Sequence, residues 1–428
     1  MASLVLIKFS RHRPVVEDGH VIWNAHGGGK KDIDGLPQII WEDQMPWREA
    51  NLWATSRATG KKVSIKTITS TMKHVHAYAN WLEDEKLTWY HFPDRESDRC
   101  LVMYRGHLIS LRDNGHIAPS TAQHRMNALI RVYRWFKASK LISADLPMWE
   151  DKQVGVKIQD AFGFERTIDR PTTDLAIPNR SIIGSDLEDG LLPVASSCVT
   201  TIPEYSKEHA SKELDLMLRL GFCTGMRIGT ICDLKVKTIE HATPVPDMKG
   251  YWYIVVGPGA HPPVHTKYSV TGQIWIEEQY LNELKEYIYS TRRLKRQALA
   301  KESNRQNIFL NRFGRPYATE GSNSSRSLNI EMGRLKKSGL GLGLYAFRDF
   351  HFHRTRCTFA TELARIGLKH GSVSLTLSLV KNQLLHRDEA TTLKYIKFVQ
   401  NSEAKEELSN EFTAVFFGLF TKTDEKYV

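Results

Sequence analysis

A long interruption of the helical pattern limits the fold of this chain more than any other feature of its sequence. Between residues 146 and 205, prolines and many Ser, Thr and Asp residues break the apolar periodicity. The prolines are Pro147, Pro171, Pro178, Pro193 and Pro203. With 428 residues, the chain is long enough for a separate core on each side of this break. We therefore predict two domains, with residues 146–205 as a linker that runs into the second domain.

Residues 61–145 carry apolar side chains at helical spacing. The first stripe consists of Ile68, Met72, Val75, Ala79 and Leu82, and two further stripes follow it. This pattern predicts a small helical domain. Residues 1–60 have a mixed pattern, and we predict that they form an N-terminal arm or extension.

The third helical segment of this domain carries positive charge outside its apolar face. The residues concerned are His124, Arg125, Arg131, Arg134 and Lys137. The whole chain has a formal net charge of +11 and a pI of about 9.2, which favours a polyanionic partner such as nucleic acid. These side chains are either a solvated helix face or contacts to DNA phosphates. We prefer the second interpretation because later motifs also indicate DNA.

Residues 206–400 are predicted to form a mixed second domain. Residues 212–223, 354–366, 373–384 and 389–399 show helical patterns, and residues 251–256 and 274–276 are rich in strand-forming residues. The predicted fold class is therefore mainly α with a small antiparallel β-sheet. Within this domain, residues 281–340 contain 13 Lys and Arg against 5 Asp and Glu, the most basic long stretch of the chain.

The C-terminal tail, residues 401–428, is predicted to contain an amphipathic helix. Phe412, Phe416 and Leu419 share one apolar face. Such a helix either closes the core of its own subunit or docks on another subunit. The pattern alone leaves both interpretations open.

Cysteine usage and hydropathy indicate a protein of the reducing cytoplasm. The chain has five cysteines and no pair with the C-x-x-C spacing, which is not the pattern of a disulfide framework. The apolar run at the N-terminus is too short for a signal peptide. No run of 18 apolar residues is present, so no membrane span or membrane partner is expected.

Three distant segments contain side chains suited to attack on a DNA phosphodiester. Tyr395 follows His386 by nine residues, and Arg227 and the pair His353 and Arg356 lie upstream. Arginine forks can neutralise the two non-bridging phosphate oxygens. A tyrosine can attack the phosphorus and keep the bond energy in a covalent link, so that religation needs no ATP.

The remaining side chains would handle protons. His353 and His386 can donate to the phosphate or accept the phenolic proton. Lys267 can protonate the departing 5′ oxygen. Each of these motifs taken alone has an ordinary structural explanation, such as a helix-ending glycine or a core aromatic. The hypothesis therefore depends on the order and spacing of the whole set.

This set resembles the tyrosine recombinase (phage integrase) family. The first box runs from Thr224 through Gly225 and Arg227 to Leu234, and the second begins with His353-Arg354-Thr355-Arg356. The third runs from Leu385-His386 to Tyr395, and Lys267 is similar in position to the family's β-hairpin lysine. The resemblance covers roughly residues 61–400. It implies catalytic roles for Arg227, Lys267, His353, Arg356, His386 and Tyr395.

Three positions depart from the family pattern. Thr230 stands where an acidic residue is usual, Cys357 where histidine is frequent, and Leu385 where glycine is usual. None of the three is a position with a direct catalytic role. An active enzyme is therefore expected, with altered support around its reacting groups.

The resemblance also implies an architecture and a reaction. The helical domain at residues 61–145 looks like the family's core-binding domain, and with the catalytic domain it is expected to form a C-shaped clamp on double-stranded DNA. The expected enzyme is a metal- and ATP-independent site-specific recombinase of a mobile element, without a cofactor. It would act through a 3′-phosphotyrosine and a Holliday junction.

Partners and location follow from the same resemblance. A homo-tetramer on DNA is expected, with other recombinases of the same element as further partners, in the cytoplasm at the nucleoid. The family's C-terminal segment commonly docks on a neighbour, which favours an interface role for Phe412, Phe416 and Leu419.

Three alternatives remain open at this stage. A type IB topoisomerase-like enzyme would use the same chemistry without pairing two DNA sites. A non-catalytic DNA-binding protein could use the same scaffold. A structural zinc held by His351, His353 and Cys357 is a weaker alternative, because no second ligand pair has a suitable spacing.

Overall fold

The chain folds as two compact units. The computed structural model describes residues 1–25, 32–60, 63–159, 165–179, 187, 190–318 and 325–402. The first unit contains Met1–Ile158 and Glu165–Ser181, and the main part of the second begins at Ile182. The change of unit therefore falls inside the predicted linker.

In its described residues, the first unit combines four α-helices with three two-stranded sheets. Its helices are α1 (Arg48–Thr59), α2 (Ile65–Asp84), α3 (Cys100–Asp113) and α4 (Pro119–Ala138). Its strands are β1 (Ser3–Phe9), β2 (His12–Glu17), β3 (His20–Ala25), β4 (Ile33–Ile40), β5 (Asp151–Gln159) and β6 (Glu165–Thr173). The pairs are β1 with β4, β2 with β3, and β5 with β6. The helices α2, α3 and α4 agree with the apolar stripes of the sequence.

The expectation of a separate N-terminal arm is wrong. Strand β1 pairs antiparallel with β4, from Ser3 opposite Ile40 onward, and Leu36 and Ile39 are completely buried in the helical core. The buried side chain of Asn51 accepts a hydrogen bond from the Ile39 amide at 2.7 Å and donates to the Ile39 carbonyl at 2.9 Å. Because these contacts satisfy backbone groups of β4, the strand is fixed to α1.

Part of the predicted linker also belongs to the first unit. Strands β5 and β6 form a two-stranded sheet, and Leu175 and Ile177 just after it are buried in the same core. Proline and polar residues ended the helical pattern here without ending the domain. The linker prediction therefore fits only the residues closer to the boundary.

The second unit is mainly helical around a three-stranded sheet. Its helices are α5 (Thr201–His209), α6 (Lys212–Thr224), α7 (Ile228–Asp233), α8 (Val236–Glu240), α9 (Glu278–Ile288), α10 (Thr291–Leu299), α11 (Arg326–Gly341), α12 (His353–His370), α13 (Val373–Leu384) and α14 (residues 389–402). Its strands are β7 (Thr243–Pro244), β8 (Tyr251–Val256) and β9 (Gly272–Glu277). They pair antiparallel in the order β7-β8-β9. The mainly α fold class with a small antiparallel sheet is confirmed.

Two hydrophobic clusters hold the second unit together. The larger cluster joins α6, the β-sheet, α9 and α11. The smaller one joins α12, α13 and α14, and its buried residues include Cys357, Ala360, Val380, Leu384 and Tyr395. Helix α12 packs against both α6 and α13, so it lies between the two clusters and can present different side chains to each.

Two further sequence predictions concern the C-terminal tail and membrane spans. The tail residues Phe412, Phe416 and Leu419 lie outside the described residues. Among the helices in the described ranges, none is both long enough and apolar enough to cross a membrane.

Candidate active site

The segment Thr224-Gly225-Met226-Arg227 forms the turn between α6 and α7. Gly225 ends α6 in the left-handed region, at φ 66°, which glycine adopts without a side-chain penalty. The Thr224 hydroxyl donates to the Leu220 carbonyl at 2.6 Å and accepts from the Met226 amide at 3.3 Å. Arg227, two residues after Gly225, is the N-cap residue of α7. The helix-ending glycine therefore serves to place Arg227 and its own carbonyl group.

Arg356 is a buried cation bound by two helix ends. Only 2% of its surface is exposed. One terminal nitrogen donates to the Gly225 carbonyl at 2.7 Å and the other to the Leu384 carbonyl at 3.0 Å. These carbonyls lie at the C-terminal ends of α6 and α13, where the helix dipole favours a positive charge. The guanidinium is thus oriented by the scaffold before any ligand binds.

Arg227, Lys267 and Arg356 line one small cleft. Its other walls come from Met226, Thr230, Thr266, Ile274, Gln383, Leu384 and Leu385. Lys267 begins a short 3₁₀ turn, Lys267–Ser269, between β8 and β9, and its Nζ atom lies 5.3 Å from the centre of the Tyr268 ring. Three cations from segments far apart in sequence therefore face the same space. Such a site suits a phosphate group.

His386 lies beside this cleft, after a strained turn. The preceding residue, Leu385, has φ 53° and ψ 47°, a left-handed conformation that a side chain disfavours. This geometry explains why glycine suits the position in the resembling family. His386 is 6% exposed, and its Nδ1 atom is hydrogen-bonded to the Thr392 hydroxyl at 2.9 Å.

Tyr395 is not on the cleft wall. Its side chain is completely buried in the smaller cluster, and its hydroxyl donates to Cys357 Sγ at 3.8 Å. Its ring stacks on the His386 ring with centroids 6.1 Å apart and planes inclined by 14°. The structure thus brings Tyr395 next to His386, with its hydroxyl directed at the residue that follows Arg356.

His353 is the first residue of α12, one helical turn before Arg356. It is partly buried, and it does not line the cleft shared by Arg227, Lys267 and Arg356. Because it lies on the same helix as Arg356, His353 is still a candidate for proton transfer at the site.

Sequence reasoning missed two supporting residues. Gln383 is buried, accepts from the Trp275 amide at 3.1 Å and donates to the Trp275 carbonyl at 3.3 Å, so it fixes α13 to β9 beside the cleft. Thr392 is completely buried and contacts His386. Thr392 lies within the third box, but no role was predicted for it. Gln383 lies in no motif, and only its buried position in the fold distinguishes it.

The basic stretch at residues 281–340 is partly structural. Arg292 and Arg296 both contact the completely buried carboxylate of Glu213, with shortest distances of 2.7 and 2.9 Å. Burial alone raises the pKa of Glu213, but the hydrogen bond from Arg292 and the charge of Arg296 outweigh it and hold the pKa below its usual range. Arg293 is also buried and donates to the carbonyls of Arg305 and Asn307. Charge counted from sequence therefore overstates the charge open to a partner.

The candidate DNA-binding residues of the first unit lie along α4. His124, Arg131, Arg134 and Lys137 are exposed, whereas Arg125 is partly buried. Arg134 is already paired with Asp151 at 2.8 Å. The His124 ring stacks on His74 of α2, with centroids 6.4 Å apart. Burial lowers the pKa of His74, and the charges of Arg125 and His124 lower it further.

The zinc alternative finds no support in the described part of the chain. There, no three His, Cys, Asp or Glu side chains are grouped so that they could hold a metal ion. His351, His353 and Cys357 therefore do not form such a group.

Comparison with known proteins agrees with the fold. Residues 196–401 match the sequence model of the phage integrase family. Among solved structures, the Tn1549 transposon integrase in complex with circular intermediate DNA is 14% identical, with a TM-score of 0.50 over 85% of this chain and 99% of that one. No curated protein sequence matches this chain. The second unit is a tyrosine recombinase domain of the phage integrase family.

Two further solved structures are more distant. A lambda integrase dimer bound to a COC′ core site is 14% identical, with a TM-score of 0.45 over 82% of this chain and 76% of that chain. The XerA recombinase is 12% identical, with a TM-score of 0.33 over 84% of this chain and 96% of that chain.

Proposed function

We propose that this protein is a site-specific DNA recombinase, an integrase or transposase of a mobile element, that cuts and rejoins DNA through a 3′-phosphotyrosine. The cleft that gathers Arg227, Lys267 and Arg356 is the observation that carries the proposal. These three cations come from segments far apart in sequence and line one small cleft. A phosphodiester carries the negative charge and the oxygen acceptors that such a group of cations binds. The match of this unit to the phage integrase family adds the chemistry.

In the proposed reaction, the scissile phosphate binds in the cleft. The guanidinium groups of Arg227 and Arg356 donate to its non-bridging oxygens and stabilise the charge of the transition state. Tyr395 Oη forms a bond to phosphorus while the bond from phosphorus to the 5′ oxygen breaks. Lys267 gives a proton to that oxygen, which leaves as a hydroxyl. The phenolic proton passes to His386 or His353.

Strand exchange repeats the same step in reverse. The 5′ hydroxyl of a second strand attacks the phosphotyrosine and gives its proton to Lys267. The bond from phosphorus to Tyr395 Oη breaks, and the histidine that took the phenolic proton returns it to Tyr395. Two such exchanges on paired sites would pass through a Holliday junction. No ATP is needed, because the covalent link keeps the energy of the original bond.

Duplex DNA and further copies of the chain are the proposed partners. The positive residues of α4 would contact DNA phosphates outside the cleft. A tetramer would hold two sites, with Phe412, Phe416 and Leu419 of the tail as its interface, and other recombinases of the same element could join it. A cytoplasmic, nucleoid-associated location is part of the proposal. Five cysteines that form no disulfide are consistent with it.

A covalent trapping experiment tests the proposal. The purified chain would be incubated with nicked duplexes that tile the DNA flanking its own coding sequence, because a nick lets the cut end diffuse away and traps the adduct. We expect a protein–DNA adduct that survives detergent and maps to Tyr395 by peptide mass spectrometry. Tyr395→Phe should form none, a loss of at least about 10⁴-fold, while its duplex binding stays unchanged.

Other outcomes would support the alternatives. An adduct that persists in Tyr395→Phe would show that another residue is the nucleophile. Relaxation of supercoiled DNA by monomers without strand exchange would support the topoisomerase-like alternative. Binding without any adduct would support the non-catalytic alternative.

A further inference from the structure

Cys357 and Tyr395 form a buried contact that the proposed reaction does not use. Both side chains are completely buried. The Tyr395 hydroxyl donates to Cys357 Sγ at 3.8 Å. Cys357 directly follows Arg356 on α12. Neighbouring positions of one helix therefore contribute to the cleft of Arg227, Lys267 and Arg356, which we call the phosphate cleft, and to the contact with the tyrosine.

Tyr395 is inaccessible to a phosphate in the position that the structure shows. Its ring lies among apolar residues of α12, α13 and α14, including Ala360, Val380 and Ile396. A DNA phosphate cannot approach a completely buried hydroxyl, and attack needs the two reacting atoms within about 3.5 Å of each other. Tyr395 must therefore leave its contact with Cys357 before it can react.

We propose that Cys357 is a positioning residue that holds the hydroxyl of Tyr395 in this inaccessible position and releases it readily. This inference rests on the proposed function, in which Tyr395 is the nucleophile. A buried hydroxyl without an acceptor is unfavourable, so some partner is needed to keep it inside. A thiol is a weak acceptor, so its bond to the phenol is easily given up. Cys357 thereby sets how often Tyr395 is available.

Three substitutions of Cys357 distinguish a role as hydrogen-bond acceptor from a role in packing. Cys357→Ala and Cys357→Val both remove the sulfur that accepts from the Tyr395 hydroxyl. Alanine leaves a small space, and valine fills it. Cys357→Ser keeps an acceptor. If the role is polar, Ala and Val should both release Tyr395 more often, and Ser, a stronger acceptor, should release it less often than the original thiol. If the residue only fills space, Ala and Val should differ.

Tyrosine acetylation measures release without DNA. The full-length protein would be treated with N-acetylimidazole, and acetylation of the peptide containing Tyr395 would be followed by mass spectrometry. Tyr345, which is 79% exposed, gives an internal reference rate. We expect N-acetylimidazole to modify Tyr395 about two- to tenfold faster in Cys357→Ala and Cys357→Val than in the unaltered protein. Cys357→Ser should acetylate more slowly than the unaltered protein, because a hydroxyl is a stronger acceptor than a thiol and holds the phenol more firmly.

Cys232→Ala is the matched control. Cys232 is a buried thiol of the larger cluster, and its removal should leave the Tyr395 rate unchanged. Thermal unfolding of every variant confirms that it is folded. Equal or slower acetylation in Cys357→Ala and Cys357→Val, in folded protein, overturns the inference. So does the same acceleration in Cys232→Ala.

Adduct formation on the nicked duplexes separates this inference from the proposed function. In single-turnover reactions, Cys357→Val should form the Tyr395 adduct faster by a factor similar to its acetylation. If the unaltered protein forms no adduct but acetylation still responds to Cys357, the proposed function fails and the holding contact stands. If the adduct forms but neither rate responds to Cys357, the positioning role fails.

Discussion

The phosphate cleft and the surroundings of Tyr395 are prepared to different degrees. In the cleft, Arg356 is already held by the carbonyls of Gly225 and Leu384, and Arg227 and Lys267 face the same space. Tyr395, in contrast, is completely buried against Cys357. The groups proposed to bind the phosphate are thus already in place, whereas the proposed nucleophile is not.

This difference has a chemical consequence. Preorganised cations are effective because they need no rearrangement when charge develops on the phosphate. A nucleophile that is always exposed would attack any phosphate that entered the cleft. In the proposed reaction, a buried tyrosine adds a conformational step between binding and cutting, so that binding alone would not commit the enzyme to cleavage.

Arg356→Lys should have the largest effect on the prepared side of this comparison. Lysine cannot reach both the Gly225 and Leu384 carbonyls with a planar fork, so the cleft loses its geometry while it keeps its charge. We expect adduct formation on nicked duplexes to slow by about 10²–10³-fold. Acetylation of Tyr395 should change little, because the substitution leaves Cys357 in place.

Arg365→Lys provides the control for that substitution. Arg365 lies on the same helix and pairs with Glu362 on the surface, so its replacement should leave the rate within about twofold. A fall in Tyr395 burial in Arg356→Lys, seen as faster acetylation, would mean that the two regions are not independent.

Gly225 lies where the two regions meet. Its carbonyl accepts from Arg356, and a Cβ atom at this residue would lie 2.5 Å from Phe359 and 2.6 Å from Leu384. Gly225→Ala should therefore lower the free energy of unfolding by about 2–4 kcal/mol, from backbone strain at φ 66° and from steric overlap. Urea titration of the full-length protein measures this change.

A second glycine calibrates the experiment. Gly333 lies inside α11, and a Cβ atom there would have nothing within 4 Å. Gly333→Ala should raise the free energy of unfolding by about 0.5–1 kcal/mol, because alanine favours the helix. If both alanine variants have the same stability, the left-handed turn is not what supports the cleft.

The prepared side was also the more predictable from sequence. Arg227, Lys267 and Arg356 lie in boxes whose order and spacing resemble one family, so their common cleft followed from the resemblance. Gly225 was readable because a glycine after a helical pattern predicts a helix end. The surroundings of Tyr395 depend on how α14 packs on α12 and α13, which no short motif encodes.

Other misses have the same cause. Residues 1–60 were predicted to be an extension because β1 finds its partner β4 some 30 residues later, with Ser3 opposite Ile40. The basic residues of 281–340 were counted together, Arg292 and Arg296 among them, because Glu213, the buried partner of these two, lies far upstream. In each case the residue that determines the structure of the segment lies far away in the sequence, so the local pattern alone could not show the contact.

Thr392→Val gives the smallest expected effect and tests the less prepared side. The Thr392 hydroxyl bonds to His386 Nδ1 at 2.9 Å, and the His386 ring stacks on Tyr395. Valine keeps the volume of this completely buried side chain but removes the bond. His386 then loses part of its orientation for proton transfer, and we expect adduct formation to slow by about tenfold or less.

Duplex binding in Thr392→Val should stay unchanged, because Thr392 does not line the phosphate cleft. Thr391→Val, a partly buried neighbour, is the control and should keep the original rate. A loss of duplex affinity in Thr392→Val alone would mean that His386 helps to bind the phosphate in the ground state. The division between a prepared cleft and an unprepared nucleophile would then have to place His386 with the cleft.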